Sequence, residues 1–357
     1  MPQLFDPISL GALALPNRVV MAPLTRNRAG TGNVATALHA TYYAQRASAG
    51  LLITEASPVC PEGHGYPRTP GIHSPAQVAG WKLVTEAVHA RGGRIFLQLW
   101  HVGRISHPSF QPGGGAPVAP SALRPEGQAY TATGLQDYVI PRALHLDELA
   151  DVVDSFRRAA EQARAAGFDG VEIHAANGYL LDQFLRDGTN RRSDAYGGSL
   201  ENRARLLLEV VQATSRAIGA DRVGVRISPL NTFNDISDSQ PRATFEYVAQ
   251  ALAPFGLAYL HVLEGDMTGR PAPALDYGRL KALFGGPYLA NNGYDRSRAM
   301  AAVAEGRADL VAFGRPYIAN PDLVERLGAD APLNVPDEAT FYAGEEKGYI
   351  DYPTLGA

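Results

Sequence analysis

Phe168-Asp-Gly-Val-Glu-Ile-His-Ala-Ala-Asn-Gly-Tyr-Leu-Leu181, running on to Tyr196-Gly-Gly-Ser-Leu-Glu-Asn-Arg203, is the stretch from which the fold is read. Its core, Gly170–Ala175, is apolar and β-branched and is flanked by Gly, the pattern of a short buried strand. Before it, in Leu144–Gly167, the residues Leu149, Val152, Val153, Phe156, Ala159, Ala160 and Ala163 recur at steps of three and four, the stripe of an amphipathic helix. After it, Asn202–Gly219 is helical again. Helix, buried strand and helix in succession indicate a parallel sheet covered on both faces. Just past the strand's apolar core stand His174, Asn177 and Tyr179, three polar groups at the rigid end where barrel enzymes hold their chemistry.

The alternation continues in both directions. Further strand-like runs are Val19–Thr25, Leu51–Ala56, Arg94–Trp100, Gly224–Pro229, Tyr259–Glu264, Tyr288–Asn291 and Leu310–Arg315. Helical patterns at Ala35–Gly50, Pro75–Gly92, Ala243–Gly256, Asp276–Gly285, Asp295–Gly306 and Asn320–Leu327 complete eight pairs, most of them ending at Gly. Periodicity alone leaves an open doubly wound sheet as an alternative. The count of eight favours an α/β fold of the closed kind, a single (β/α)8 TIM barrel over residues 1–357 with its core at about 19–330. The residues before Val19 are expected to close one end of the barrel. The connection 101–142 is far longer than the rest and contains Gly113-Gly-Gly115, so it is expected to act as a lid over the opposite mouth. The tail 332–357, with Tyr342, Tyr349 and Tyr352, is expected to fold over the same mouth.

Composition narrows the function. Apolar residues make up 45% and charged ones 19%, which is ordinary for a protein with a large core, and a net charge of −4 offers nothing to nucleic acid. Cys60 is the single cysteine, which excludes an internal disulfide framework and any cysteine-ligated cluster. No run reaches the ~20 apolar residues of a membrane helix, and the start, Met1-Pro-Gln-Leu-Phe-Asp6, carries no secretory pattern. A cytoplasmic protein acting on a small molecule, without nucleic-acid or membrane partner and as a monomer or homodimer, is the expectation.

An isolated His is most often a satisfied core residue, and a metal site would want about three convergent ligands, which the neighbours of His174 do not offer. The remaining reading is a pair of donors, His174 and Asn177, gripping an oxygen that gains negative charge, with Tyr179 as general acid. Arg226 and Gln98 are further polar residues inside apolar strands: the first asks for an anion, the second suits the edge of a heterocycle. The loops Ala290-Asn-Asn-Gly293 and Phe313-Gly-Arg315 stand where barrels build a phosphate site after their last two strands, pointing to Asn292, Gly293, Gly314 and Arg315. No G-x-G-x-x-G and no P-loop occurs, so a nicotinamide would visit the mouth and leave. Arg104, Arg142 and Arg270 are each able to meet a 2′-phosphate.

Taken together these residues resemble the Old Yellow Enzyme family of flavin-dependent ene-reductases. The likeness runs from Leu4-Phe-Asp-Pro7 to Tyr349-Ile-Asp-Tyr-Pro353 and includes Asn17–Thr25, Tyr43–Gly50, Gln98-Leu-Trp-His-Val-Gly-Arg104, the His174 segment and Ala312-Phe-Gly-Arg-Pro-Tyr317. The resemblance implies non-covalent FMN lined by Ala22, Pro23, Leu24, Thr25 and Ala56. It places Gln98 at the pyrimidine edge, Arg226 near the end of the ring that turns negative on reduction, and the phosphate on Asn292, Gly293, Gly314 and Arg315. His174 and Asn177 would bind the substrate oxygen, Tyr179 would donate the proton, and Tyr66, Trp100 and Tyr349 would shape the pocket. Asn177 stands where some members have a second His, Thr25 where another branch has Cys, and Asn292 where many have Gly. The implied activity is ping-pong reduction of activated C=C bonds (α,β-unsaturated carbonyls, maleimides, nitroalkenes) with NAD(P)H as transient hydride donor. A nitrate ester or nitroaromatic reductase on the same flavin site is the alternative, with a metal-dependent hydrolase or lyase and a flavin-binding scaffold more remote.

Overall fold

The computed structural model describes residues 1–356. Eight parallel strands form its centre: β1 Val19–Met21, β2 Leu51–Ile53, β3 Ile95–Trp100, β4 Gly170–Ala175, β5 Val223–Ile227, β6 Tyr259–Leu263, β7 Tyr288–Asn291 and β8 Leu310–Phe313. Each pairs with the next, β8 pairs with β1, and β3 pairs with β4, so the sheet closes on itself. Eight helices surround it: α1 Ala37–Gln45, α2 Pro75–His89, α3 Leu149–Ala165, α4 Leu200–Ile218, α5 Pro241–Leu252, α6 Tyr277–Phe284, α7 Arg296–Ala304 and α8 Leu323–Ala329. This is the (β/α)8 barrel that the sequence pattern favoured. Several strands stop earlier than the runs read from the sequence, β1 and β8 among them. After β1 the Ala22-Pro23 step removes a ladder donor, and after β8 the chain turns at Gly314 into a short helix, Arg315–Ala319, with Pro in its first turn.

Alternation along the strands decides which side chains face the barrel's interior. In β4, Val171, Ile173 and Ala175 join the large core that includes α3 and α4, and in β5 Val223, Val225 and Ile227 do the same. The other parity belongs to Glu172 and His174, and to Gly224 and Arg226. In β3 the apolar Leu97 and Leu99 pack outward while Phe96, Gln98 and Trp100 take the inner parity. The polar residues buried in these strands are therefore gathered inside the barrel, not scattered through the core.

The interior is layered. Its floor is a separate apolar cluster of Val20, Leu51, Ile53, Phe96, Tyr259, Leu289 and Leu310. An antiparallel hairpin, Ile8–Leu10 with Leu13–Leu15, adds Leu10, Leu13 and Leu15 to that cluster and closes the N-terminal end. Gly224 permits the packing: a Cβ there would stand 2.3 Å from the Tyr259 ring.

At the opposite end the connection from β3 to α3 folds back on the barrel. It contains a hairpin, Gln128–Thr131 with Gly134–Asp137, and its Ala129 and the following Tyr138 are buried against Trp100 and Tyr179. The C-terminal segment is tied to the turn after β1 by two buried arginines. Arg26 donates to the carbonyls of Phe341 and Gly348, and Arg28 to those of Thr340, Ala343 and Glu345. Among the described residues no helix is long and apolar enough to cross a membrane.

Candidate active site

The inner residues of β3, β4, β5 and β6 make a polar layer above the floor. Glu172, fully buried, accepts from Gln98 Nε2 at 2.7 Å and pairs with His261 Nδ1 at 2.8 Å. Burial works against its charge, but His261 and then Arg226 outweigh it and hold the carboxyl below its ordinary range. Glu172 is thus a buried negative charge near enough to favour the charged form of Arg226, without a direct ion pair between them. Arg226 itself donates through Nη2 to Asn291 Oδ1 at 3.0 Å, and its Nε is buried without a partner.

Above this layer the end of β4 carries His174, and the turn that follows carries Asn177 and Tyr179, all buried. Burial, then the charge of Arg226, holds the His174 imidazole well below its usual pKa, so it is neutral and offers one N–H. Its Nδ1 is buried and unpaired. The Tyr179 ring stands edge-on to His174 and to Trp100, with centroids 5.1 and 4.9 Å away. Its hydroxyl meets that of Tyr66 at 3.1 Å. Burial pushes the Tyr179 phenol up to about 12 against the hydrogen bonds from Tyr66 and Asn234, so it keeps its proton at neutral pH. Tyr66 stacks on Trp100, centroids 5.5 Å apart. His174, Tyr179, Tyr66, Trp100 and Ala56 therefore meet as one site.

Asn177 sits in the left-handed region at φ 59, where Asn is among the better tolerated residues. Its N–H donates to Ser228 Oγ at 2.7 Å and its carbonyl accepts from Asn234 Nδ2 at 2.8 Å. The side-chain oxygen accepts from Asn231 Nδ2 at 2.9 Å, which leaves the Asn177 amide N–H groups as the end available to a ligand. Neutral imidazole, amide and protonated phenol are together suited to hold a carbonyl-type oxygen and deliver a proton nearby.

The remaining sequence candidates fall around the same end. Ala22 is buried, and Pro23, Leu24 and Thr25 are partly so. Gly293 has φ 68, and Asn292 has φ 90 with its amide committed to the Glu264 carbonyl. Gly314 caps the helix that begins at Arg315, whose guanidinium is exposed and 3.5 Å from Glu338. Tyr349 is not brought to the site. It is fully buried, stacked face to face on Tyr42 at 3.9 Å, with Arg26 and Arg28 over its ring. The tail residue close enough to weigh on the ionisation of Tyr66 and Tyr179 is Tyr342. Two of the three arginines suggested for a 2′-phosphate are engaged elsewhere, Arg104 with Asp235 and Arg142 with Glu148.

The family model for the NADH:flavin oxidoreductase / NADH oxidase family matches residues 3–334. The chain belongs to the Old Yellow Enzyme family. It is 47% identical to 12-oxophytodienoate reductase 1 of Oryza sativa subsp. japonica over 360 residues, covering 99% of this chain and 93% of that protein. A flavin oxidoreductase of Emericella nidulans is 43% identical, over 98% of this chain and 97% of its own. Among solved structures, morphinone reductase superposes with a TM-score of 0.95 at 51% identity over 99% and 96% of the two chains. The Old Yellow Enzyme homologue of Zymomonas mobilis gives 0.95 at 45%, over 99% of each. A structure of morphinone reductase holds tetrahydroNAD. The chain is accordingly an FMN-dependent oxidoreductase that draws on a nicotinamide and reduces activated C=C bonds.

The residues present fit that flavin. Buried polar atoms without a partner, Arg226 Nε, His174 Nδ1 and Trp100 Nε1, lie at the C-terminal end of the barrel, where a heteroatom-rich ring would satisfy them. Glu172, His261, Asn231, Asn234 and Tyr138 were missed in the sequence, whereas Tyr342 was singled out only as part of the tail over the mouth. For Glu172 a signal existed: it shares the parity of His174 two residues on. His261 likewise sits at the inner parity of β6, two residues after Tyr259, whereas the others lie on loops, where no periodicity marks them.

Proposed function

We propose that His174 and Asn177 bind the activating oxygen of the alkene while Tyr179 protonates the carbon α to it. The observation that carries this reading is the meeting, at the end of β4 and the turn after it, of a neutral imidazole, an amide turned N–H outward and a phenol that stays protonated. FMN, when bound, would supply the hydride chemistry that links NAD(P)H to the β-carbon of the alkene. His174 and Asn177 draw electron density toward the oxygen, which makes the β-carbon a better acceptor. Tyr66 holds the Tyr179 hydroxyl in place, and Trp100 walls the pocket with Tyr66. Gln98 would meet the pyrimidine edge of FMN and Arg226 the end of the ring that turns negative on reduction, while Ala22, Pro23, Leu24, Thr25 and Ala56 would line the ring and Asn292, Gly293, Gly314 and Arg315 would hold the phosphate. The hairpin carrying Ala129, with Tyr138 just after it, acts as the lid, and closure over the pocket excludes water while the two substrates take turns in it. We expect the enzyme to be cytoplasmic and either monomeric or a homodimer.

An anaerobic visible spectrum tests the reading at once. A flavin spectrum that bleaches with NADPH and returns with 2-cyclohexenone is expected. Bleaching without recovery on any activated alkene would overturn the assignment of substrate.

A further inference from the structure

An amide has two nearly isosteric ends, and only one of them can grip a carbonyl oxygen. Asn177 is useful to the proposed reaction only if its Nδ2, not its Oδ1, is presented to the ligand. The backbone of Asn177 is held from both sides, by Ser228 Oγ on its N–H and Asn234 Nδ2 on its carbonyl. What remains to be set is the sense of the side-chain amide. That sense is decided outside the loop of Asn177. Met267 N–H donates to Asn231 Oδ1 at 3.3 Å, and a backbone N–H can only donate. Asn231 Oδ1 is therefore its acceptor end, its Nδ2 is the donor, and the 2.9 Å contact that Nδ2 makes falls on Asn177 Oδ1. Asn231 is itself 1% exposed, so no water competes for either contact. Met267 is placed by its neighbour Asp266, whose carboxylate accepts from Thr232 N at 3.1 Å and thereby ties the loop after β6 to the loop after β5.

We infer that Asn231 is a positioning residue for substrate recognition: it transmits the polarity of the Met267 backbone N–H to Asn177 and so determines that Asn177 offers a donor to the substrate's oxygen. The inference rests on the assignment of Asn177 as an oxygen-binding group. In Asn231→Leu both polar ends are lost and the amide of Asn177 is free to turn. In Asn231→Asp the shape is kept but the donor is replaced by an acceptor, so the Asn177 amide turns its N–H groups to the new carboxylate and its oxygen to the pocket.

The test uses the FMN-loaded enzyme and 2-cyclohexenone, with binding to oxidised enzyme read from the flavin spectrum and the alkene half-reaction followed after reduction. At pH 8.5 Asn231→Asp is expected to weaken enone binding about tenfold or more, and Asn231→Leu by less. Flavin content and Tm should stay close to those of the parent. Each change is repeated in an Asn177→Ala background, where neither should weaken binding further, since no amide is left to orient. Equal losses with and without Asn177 would overturn the inference, as would parent-like binding by Asn231→Asp when Asn177→Ala alone is impaired. If Asn177→Ala itself binds the enone as the parent does, it is the assignment of Asn177 that fails.

Discussion

The two ends of this barrel are made from the same eight strands by the same alternation, yet they obey different rules. At the N-terminal end the inner residues are Val20, Leu51, Phe96, Tyr259 and Leu289, closed by the leucines of a hairpin, and the contacts are apolar. A few residues further along the same strands the inner positions become Gln98, Glu172, His174, Arg226 and His261, and each polar atom either has a partner or is left for a ligand. The first end can lose shape complementarity and the second can lose polarity. Changes at the first should therefore appear in stability, and changes at the second in rate and binding.

The sharpest way to break that contrast is Tyr179→Phe. The ring, its edge contacts with His174 and Trp100 and most of its volume survive, and only the hydroxyl is removed. Flavin reduction by NAD(P)H should be spared, whereas reoxidation by an enone that needs the proton should slow by about 10²–10⁴-fold. Stopped-flow measurement of the two half-reactions separates them. Equal losses in both would show that Tyr179 does something other than deliver a proton. Nitroalkenes, whose carbanion is already stabilised, should suffer less.

Gly224→Val probes the other end. The new side chain would begin 2.3 Å from the Tyr259 ring, which has no room to withdraw from a closed floor. A cost of about 3 kcal/mol is expected, seen as a lower Tm and denaturation midpoint. The kcat of the protein that remains folded should be close to that of the parent. A large fall in kcat with unchanged stability would mean that floor and mouth are coupled through the polar layer.

How far this division was visible beforehand follows from the same rules. The strand and helix alternation, the closed barrel and the residues His174, Asn177, Tyr179, Gln98 and Arg226 were legible because they sit within periodic segments or directly after one. Strand ends were less so, since an apolar run continues past the last ladder bond wherever the turn is also buried, as at Ala22. Tyr349 was misplaced for another reason. A tail has no period, so nothing local distinguishes a tyrosine stacked on Tyr42 from Tyr342 seven residues earlier. Partners contributed by other loops, such as Asn231 for Asn177, are set by tertiary closure and leave no trace in either segment alone.

Beside the mouth lies a region where burial and charge meet, and pH should sharpen the contrast there. Glu55, at the top of β2, is fully buried, accepts from Arg26 N at 3.3 Å and lies 3.7 Å from His39. Burial raises its carboxyl to about 7, and burial lowers His39 to about 4. Because the folded protein holds the Glu55 proton more tightly than the unfolded chain does, that contribution is complete below about pH 4.5 and is lost as pH rises through about 7. Glu55→Gln should flatten the fall in stability between pH 5 and pH 8, by about 2 kcal/mol. Denaturant titrations of both proteins at the two pH values read it directly. A parallel decline in the two would assign the pH dependence to other groups.

The smallest effect is expected where a charge is satisfied on the surface. Arg142, at the end of the long connection after β3, reaches both oxygens of Glu148 at 2.7 and 2.8 Å, and both side chains are partly in solvent. That pairing, with the His145 N–H, holds the Glu148 carboxyl down to about 2, so what it contributes is present above its ordinary range and fades as pH falls toward 2. Exposure screens the pair, and Arg142→Ala should cost less than about 1 kcal/mol. It should also leave the preference between NADPH and NADH unchanged, because a guanidinium that closes on Glu148 has no fork left for a 2′-phosphate. A rise in the KM for NADPH alone, with that for NADH unmoved, would show that Glu148 releases Arg142 when the coenzyme arrives. The base of the connection would then belong with the mouth, as a place where polarity is held in reserve for a ligand.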